Sequence, residues 1–189
     1  MKRPPLPSFE DTLRGVLELP TVAQDSAGAT RVVRCLYMPS FHREVALTLV
    51  ERGQASELTV RAPSIPVGPR WMEQVFGKPG HVPAGPAPKA VIERVTLPTE
   101  PLIERAVRAL DPARIKPSIP TMTDGMKAEL CLWQPDGELS YQLHSSEFHA
   151  EDGRYQVLLA MLQLSLQVLL PERFRVCLGD LQPYLRLQG

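Results

Sequence analysis

The chain has no surplus of either charge: 21 Lys and Arg stand against 21 Asp and Glu over 189 residues, a formal net charge of zero at pH 7. A protein that neutralises a nucleic-acid backbone or an anionic membrane surface needs a basic excess or a basic run. Neither is here. The densest basic group, Arg105, Arg108, Arg114 and Lys116, is offset by Glu100, Glu104 and Asp111, and no aromatic residues are interleaved for base stacking. Cysteine is scarce: Cys35, Cys131 and Cys177 lie far apart with no Cys-x-x-Cys pair. That spacing makes neither a disulfide framework nor a thiolate metal site, and each cysteine sits in an apolar segment, as buried free thiols do. Nowhere do about 18 uncharged apolar residues run together, so no conventional transmembrane helix is expected. The first fifteen residues, MKRPPLPSFEDTLRG, hold three prolines and two acids where a signal peptide has an apolar centre. The expected setting is the cytoplasm.

What is present suits one globular domain over residues 1–189: 43% of the residues are hydrophobic and 22% charged. Proline is abundant, with 20 residues, and predicts long structured loops. Residues 1–7 read as a loose Pro-rich arm. Ser8 and Asp11 have the spacing of a helix cap before Leu13, Val16 and Leu17. Residues 20–30 read as a polar loop. Strands are predicted at Arg31–Met38, Arg43–Glu51 and Ser56–Ala62, the last two alternating around a short Gly-containing turn. Seven prolines between Pro63 and Pro88 rule out a sheet ladder there, so 63–88 reads as one long ordered loop with a short helical or strand-like piece, pinned by Trp71, Met72 and Phe76.

A further strand is predicted at Lys89–Leu97, and an amphipathic helix over 99–110. Met126–Trp133 and Leu139–His144 flank a Pro-Asp-Gly turn, the strongest hairpin signal in the chain. Twelve of the sixteen residues from Tyr155 to Leu170 are apolar, which predicts a helix over about 151–170 buried on more than one side. Its polar stripe is Gln156, Gln163 and Gln167. A short strand is predicted near Phe174–Leu178. The pattern is that of an α+β protein, a mainly antiparallel sheet of hairpins packed on one face by two helices.

The chemistry-bearing motifs are thin. Phosphate-cradling glycine loops, a Gly-x-Ser-x-Gly elbow and a His-Glu-x-x-His helix are all missing. Ser40 and His42 place a hydroxyl near an imidazole, with Glu44 or Asp124 as the only nearby acids for a triad. The segment His144-Ser-Ser-Glu147-Phe-His149 offers two imidazoles and a carboxylate, but five residues apart the histidines share neither a helix face nor a strand face. Acidic pairs at Glu10–Asp11 and Glu151–Asp152 suit helix N-termini.

The expectation is therefore a non-enzymatic interaction protein, of an accessory, adaptor or immunity type, that needs no cofactor or metal. It would meet a protein partner or a second copy of itself through the apolar helix (Gln156, Gln163, Gln167) and the Pro-rich loop (Trp71, Met72, Phe76). The alternative is a small hydrolase or ligand-binding enzyme using His42, His144, Glu147 and His149 as acid–base groups.

Overall fold

A computed structural model describes residues 7–77, 83, 85–98, 101–110 and 125–185. The chain forms α1 (Phe9–Val16), α2 (Val22–Asp25), β1 (Arg31–Pro39), β2 (Val45–Arg52), β3 (Ala55–Pro63), α3 (Gly68–Phe76), β4 (Ala90–Pro98) and α4 (Pro101–Arg108). After these come β5 (Met126–Gln134), β6 (Gly137–His144), α5 (Gly153–Gln167) and α6 (Glu172–Leu185). The six strands make one sheet in the order β4-β3-β2-β1-β5-β6, and every neighbouring pair is antiparallel. β1 to β4 run as a meander, and the β5–β6 hairpin adds to the open side of β1.

The alternation of each strand decides what lies on each face. Val33, Cys35 and Tyr37 of β1, Val45, Leu47 and Leu49 of β2, and Leu58, Val60 and Ala62 of β3 point into the main core, as do Met126, Ala128, Leu130 and Leu132 of β5. α4, α5 and α6 cover this face. α5 is tied on both sides: the Tyr37 hydroxyl donates to the Leu158 carbonyl at 2.7 Å, and the Tyr155 hydroxyl donates to the Leu185 carbonyl. The all-round apolarity of this helix is thus explained by a sheet on one side and two helices on the others.

The opposite face carries a second, smaller core. Leu36, Met38 and Ala46 meet Leu13 and Leu17 of α1 and Val67 at the start of α3. Lys127 and Glu129, the charged positions of alternating β5, are covered by α1 and paired with it, Lys127 with Glu10 and Glu129 with Arg14. Glu129 also accepts from Gln142 at 3.1 Å.

Several local readings change. Residues 20–30 contain α2, opened by a capping box in which the Gln24 N–H donates to Thr21 Oγ1 at 3.2 Å and the Thr21 N–H to Gln24 Oε1 at 2.7 Å. The strand expected near Phe174–Leu178 is instead the first half of α6, because Phe174, Cys177, Leu178, Leu181 and Leu185 are all buried at helical spacing. Within 63–88 the short piece read as helical or strand-like is a helix, α3. The 1–7 arm lies outside the described residues apart from Pro7, as do His81, Arg114, Lys116 and Asp124.

Candidate functional site: a groove between the β1–β2 turn and α3

Pro39 ends β1, and the chain must turn before β2. The turn is fastened to the start of β5: the Ser40 N–H and Oγ donate to the Gly125 carbonyl at 2.9 and 2.7 Å, and the Gly125 N–H donates back to Ser40 Oγ at 3.2 Å. Glu44 then aims across the second face at the beginning of α3. Its carboxylate accepts the Val67 N–H at 3.1 Å and the Gly68 N–H at 3.0 Å. α3 has no side-chain cap of its own, so a buried carboxylate from β2 supplies one, where the helix dipole favours negative charge.

α3 in turn presents Trp71 to α1. The indole meets Phe9 edge-to-face with centroids 5.6 Å apart, and its Nε1–H donates to the Pro7 carbonyl at 3.4 Å. Between this corner and the β1–β2 turn lies a groove of about 490 Å³, walled by Phe9, Pro39, Phe41, Pro69, Trp71 and Met72 with Ser40, His42 and Lys127 at its margins. Phe41 is 74% exposed and Met72 50% exposed. Large apolar side chains held open around a concavity are unusual on a monomer surface.

The structure brings together members of two separate expectations. Trp71 and Met72 share the groove with His42. Phe76, at the far end of α3, is 73% exposed and does not line it. The glutamines of α5 separate: Gln156 donates to the Ala150 carbonyl at 2.6 Å, Gln163 borders a cavity of about 190 Å³ between α5 and α6 with Leu159, Leu166 and Leu185, and Gln167 is exposed at the helix end.

Of the acid–base candidates, His42 and Glu147 have side-chain partners, and His144 and His149 are held through their backbone N–H groups. His42 Nδ1 lies 2.9 Å from the Tyr184 hydroxyl of α6, with the two rings edge-to-face. The Ser40 hydroxyl is spent on Gly125, so these two neighbours do not build a nucleophile and base. Glu147 accepts the His144 N–H at 2.8 Å and reaches Arg154 at 3.9 Å, while the His149 N–H closes onto the Glu147 carbonyl at 3.0 Å. Among the described residues no three His, Cys, Asp or Glu side chains stand as a metal ion needs them.

The cysteines are free thiols. Burial pushes Cys35 and Cys131 up to about 12, and Cys177 is also raised by burial. None is poised as a thiolate.

The parts of the site that the sequence did not single out are Phe9 and Phe41, and Glu44, read only as a possible triad acid, serves as the cap of α3. Glu44 carried a signal, being an acid at the start of an otherwise alternating strand. Phe41, beside two polar residues in a turn, carried none. A six-stranded antiparallel sheet of hairpins with helices packed against it defines the class, an α+β protein. Beyond the class, comparison with protein-family models, with curated proteins and with solved structures finds no match.

Proposed function

We propose that this is a non-enzymatic interaction protein that receives an extended, proline-containing segment of a partner polypeptide in the groove between the β1–β2 turn and α3. One observation carries the reading: Trp71 already donates its indole N–H to a proline carbonyl, that of Pro7, at the rim of an open apolar groove. A polyproline II segment has no internal hydrogen bonds, so its carbonyls are free to accept, and its rings pack into aromatic-lined grooves. Phe41, Trp71 and Met72 supply the apolar walls. The setting proposed is the cytoplasm, in keeping with three unpaired thiols. Among the described residues no helix is long and apolar enough to cross a membrane.

The test is a fluorescence titration of the full chain with a peptide containing Pro-Pro-Leu-Pro, the sequence of residues 4–7. A saturable change that disappears in Trp71→Phe, with Trp133 still present, and weakens in Met72→Glu is the expected result. A signal that never saturates, or that Trp71→Phe retains in full, overturns the reading. Concentration-dependent sedimentation without peptide would instead identify a second copy of the chain as the occupant.

A further inference from the structure

The second face of the sheet holds a row of polar side chains, several of whose buried atoms find no partner among the described residues. Register pairing sets Arg34 of β1 opposite Thr48 of β2, Thr48 opposite Thr59 of β3, and Thr59 opposite Arg94 of β4. Arg61, two residues beyond Thr59, projects from the same face. Neighbouring strands are about 4.8 Å apart, so long arginine side chains from β1 and β4 can converge on the Thr48–Thr59–Arg61 centre. Three of these residues are buried: Thr48 is 4% exposed, Thr59 5% and Arg61 6%.

Burying polar groups without partners is costly, yet Arg34 Nε, Thr48 Oγ1 and Arg61 Nε all lack one among the described residues. Arg61 makes no ion pair or side-chain hydrogen bond among the described residues. Four charged neighbours act on it. Arg94 and Arg34 repel it, while Asp25 and Glu18 attract it. Asp25 is already committed to an ion pair with Arg34, and its backbone carbonyl accepts from Arg52 at 3.3 Å. Burial, with Arg94 next, lowers the pKa of Arg61 from its ordinary range. A guanidinium in that position is short of negative charge.

We propose that the row is a binding site for a phosphate-type oxyanion, held by Arg61 and Arg94 with the hydroxyls of Thr48 and Thr59, and with the Arg34 Nε–H, which the ion pair with Asp25 leaves over, at its inner end. Guanidinium groups and hydroxyls arriving from several strands match a tetrahedral anion better than a planar carboxylate. Arg94 is exposed on the edge strand whereas Arg61 is buried, so the anion enters from the β4 side. This site is distinct from the groove and independent of the function proposed for it.

The test uses the full chain at constant ionic strength, with chloride replaced stepwise by inorganic phosphate and, separately, by methyl phosphate. Thermal unfolding and calorimetric titration are read together. Phosphate should raise the unfolding temperature beyond matched chloride, and Arg94→Gln, a change at an exposed position, should weaken the affinity at least about tenfold. Arg61→Met should abolish the phosphate-dependent increment while leaving stability in phosphate-free buffer intact or improved. Tighter binding of methyl phosphate would mark the ligand as a phosphate ester, and tighter binding of inorganic phosphate would mark it as the free ion. No increment over chloride, or an increment retained in full by Arg94→Gln, overturns the site.

Discussion

Single side chains in this protein tie elements together, and Asp152 is the clearest case. It is the N-cap of α5: its carboxylate accepts the Arg154 N–H at 2.8 Å and binds the Arg154 guanidinium through Nε and Nη2. Burial pushes its pKa up, but hydrogen bonds from the Arg154 side chain and backbone, together with the Arg154 charge, outweigh burial and hold it below the ordinary 3.8. A folded-state pKa below the unfolded one stabilises the protein at every pH above the unfolded value, and the gain is lost as pH falls through the folded value. Asp152→Asn should therefore cost about 2 kcal/mol at neutral pH, the usual scale for hydrogen bonds to a charged group. Urea midpoints of wild type and variant should converge as pH falls through the lowered folded-state pKa of Asp152, below which both side chains are neutral. Glu10 is lowered too, against the upward push of its own burial, by its bond to Lys127, but it is common to both proteins and cancels from the difference. A gap of equal size at pH 7 and pH 2 would show that the charge on Asp152 does not matter. The cap was legible, since Glu151–Asp152 read as an acidic helix start. The buried arginine that it serves was not, because nothing in Gly-Arg-Tyr marks a guanidinium as buried.

Between elements, close approach matters more than composition. α5 begins against the end of α4, and Gly153 is the contact: a Cβ there would stand 2.8 Å from the Ala109 carbonyl oxygen and 2.9 Å from Leu110 Cα. Both are backbone atoms and have little room to yield. Gly179 in α6 has nothing within 4 Å of a built Cβ. The same substitution should then have opposite signs at two helical glycines. Gly153→Ala should destabilise by about 1–3 kcal/mol, the scale of overpacking, whereas Gly179→Ala should stabilise by up to about 1 kcal/mol through helix propensity. Denaturant unfolding of the two variants beside wild type checks both signs, and equal effects would contradict the packing of α4 on α5. Element by element, the alternating strands were readable to within two residues because each presents one apolar face. α6 was misread because Phe174–Leu178 is a short, mostly apolar run that by itself does not separate strand from helix. The helical period shows only when Leu181 and Leu185 are included, and Pro183 speaks against it. α2 was overlooked although Thr21 and Gln24 have capping-box spacing.

Across the whole molecule, the sheet has two unequal cores sharing β1 and β2. β1 is apolar on both faces, with Val33, Cys35 and Tyr37 toward the larger core and Leu36 and Met38 toward the smaller. A strand that is apolar on both faces must be covered on both, so the residues RVVRCLYM carried a signal for the second layer, although helices were expected on one face alone. Strand order was not signalled, since β1 finds β5 far along the chain and no local pattern records that pairing. The layer formed by α1 and α3 rests on few large contacts, chiefly Leu13, Leu17 and Val67 against the sheet, plus the Glu44 cap and the Phe9–Trp71 pair. The layer formed by α4, α5 and α6 closes the main core. Loss of the first layer leaves that core whole, whereas loss of the second leaves no core of comparable size. Native-state hydrogen exchange should accordingly show the amides of α1 and α3 opening at least about 2 kcal/mol below those at the centre of β1 and α5, a sub-global unit distinct from global unfolding. Equal protection in the two layers would mean that the molecule opens as one. The same unit walls the groove, so a segment bound against Trp71 and Met72 should raise the protection of α3 and leave that of α5 unchanged. This follows because a ligand stabilises only the states that retain its site.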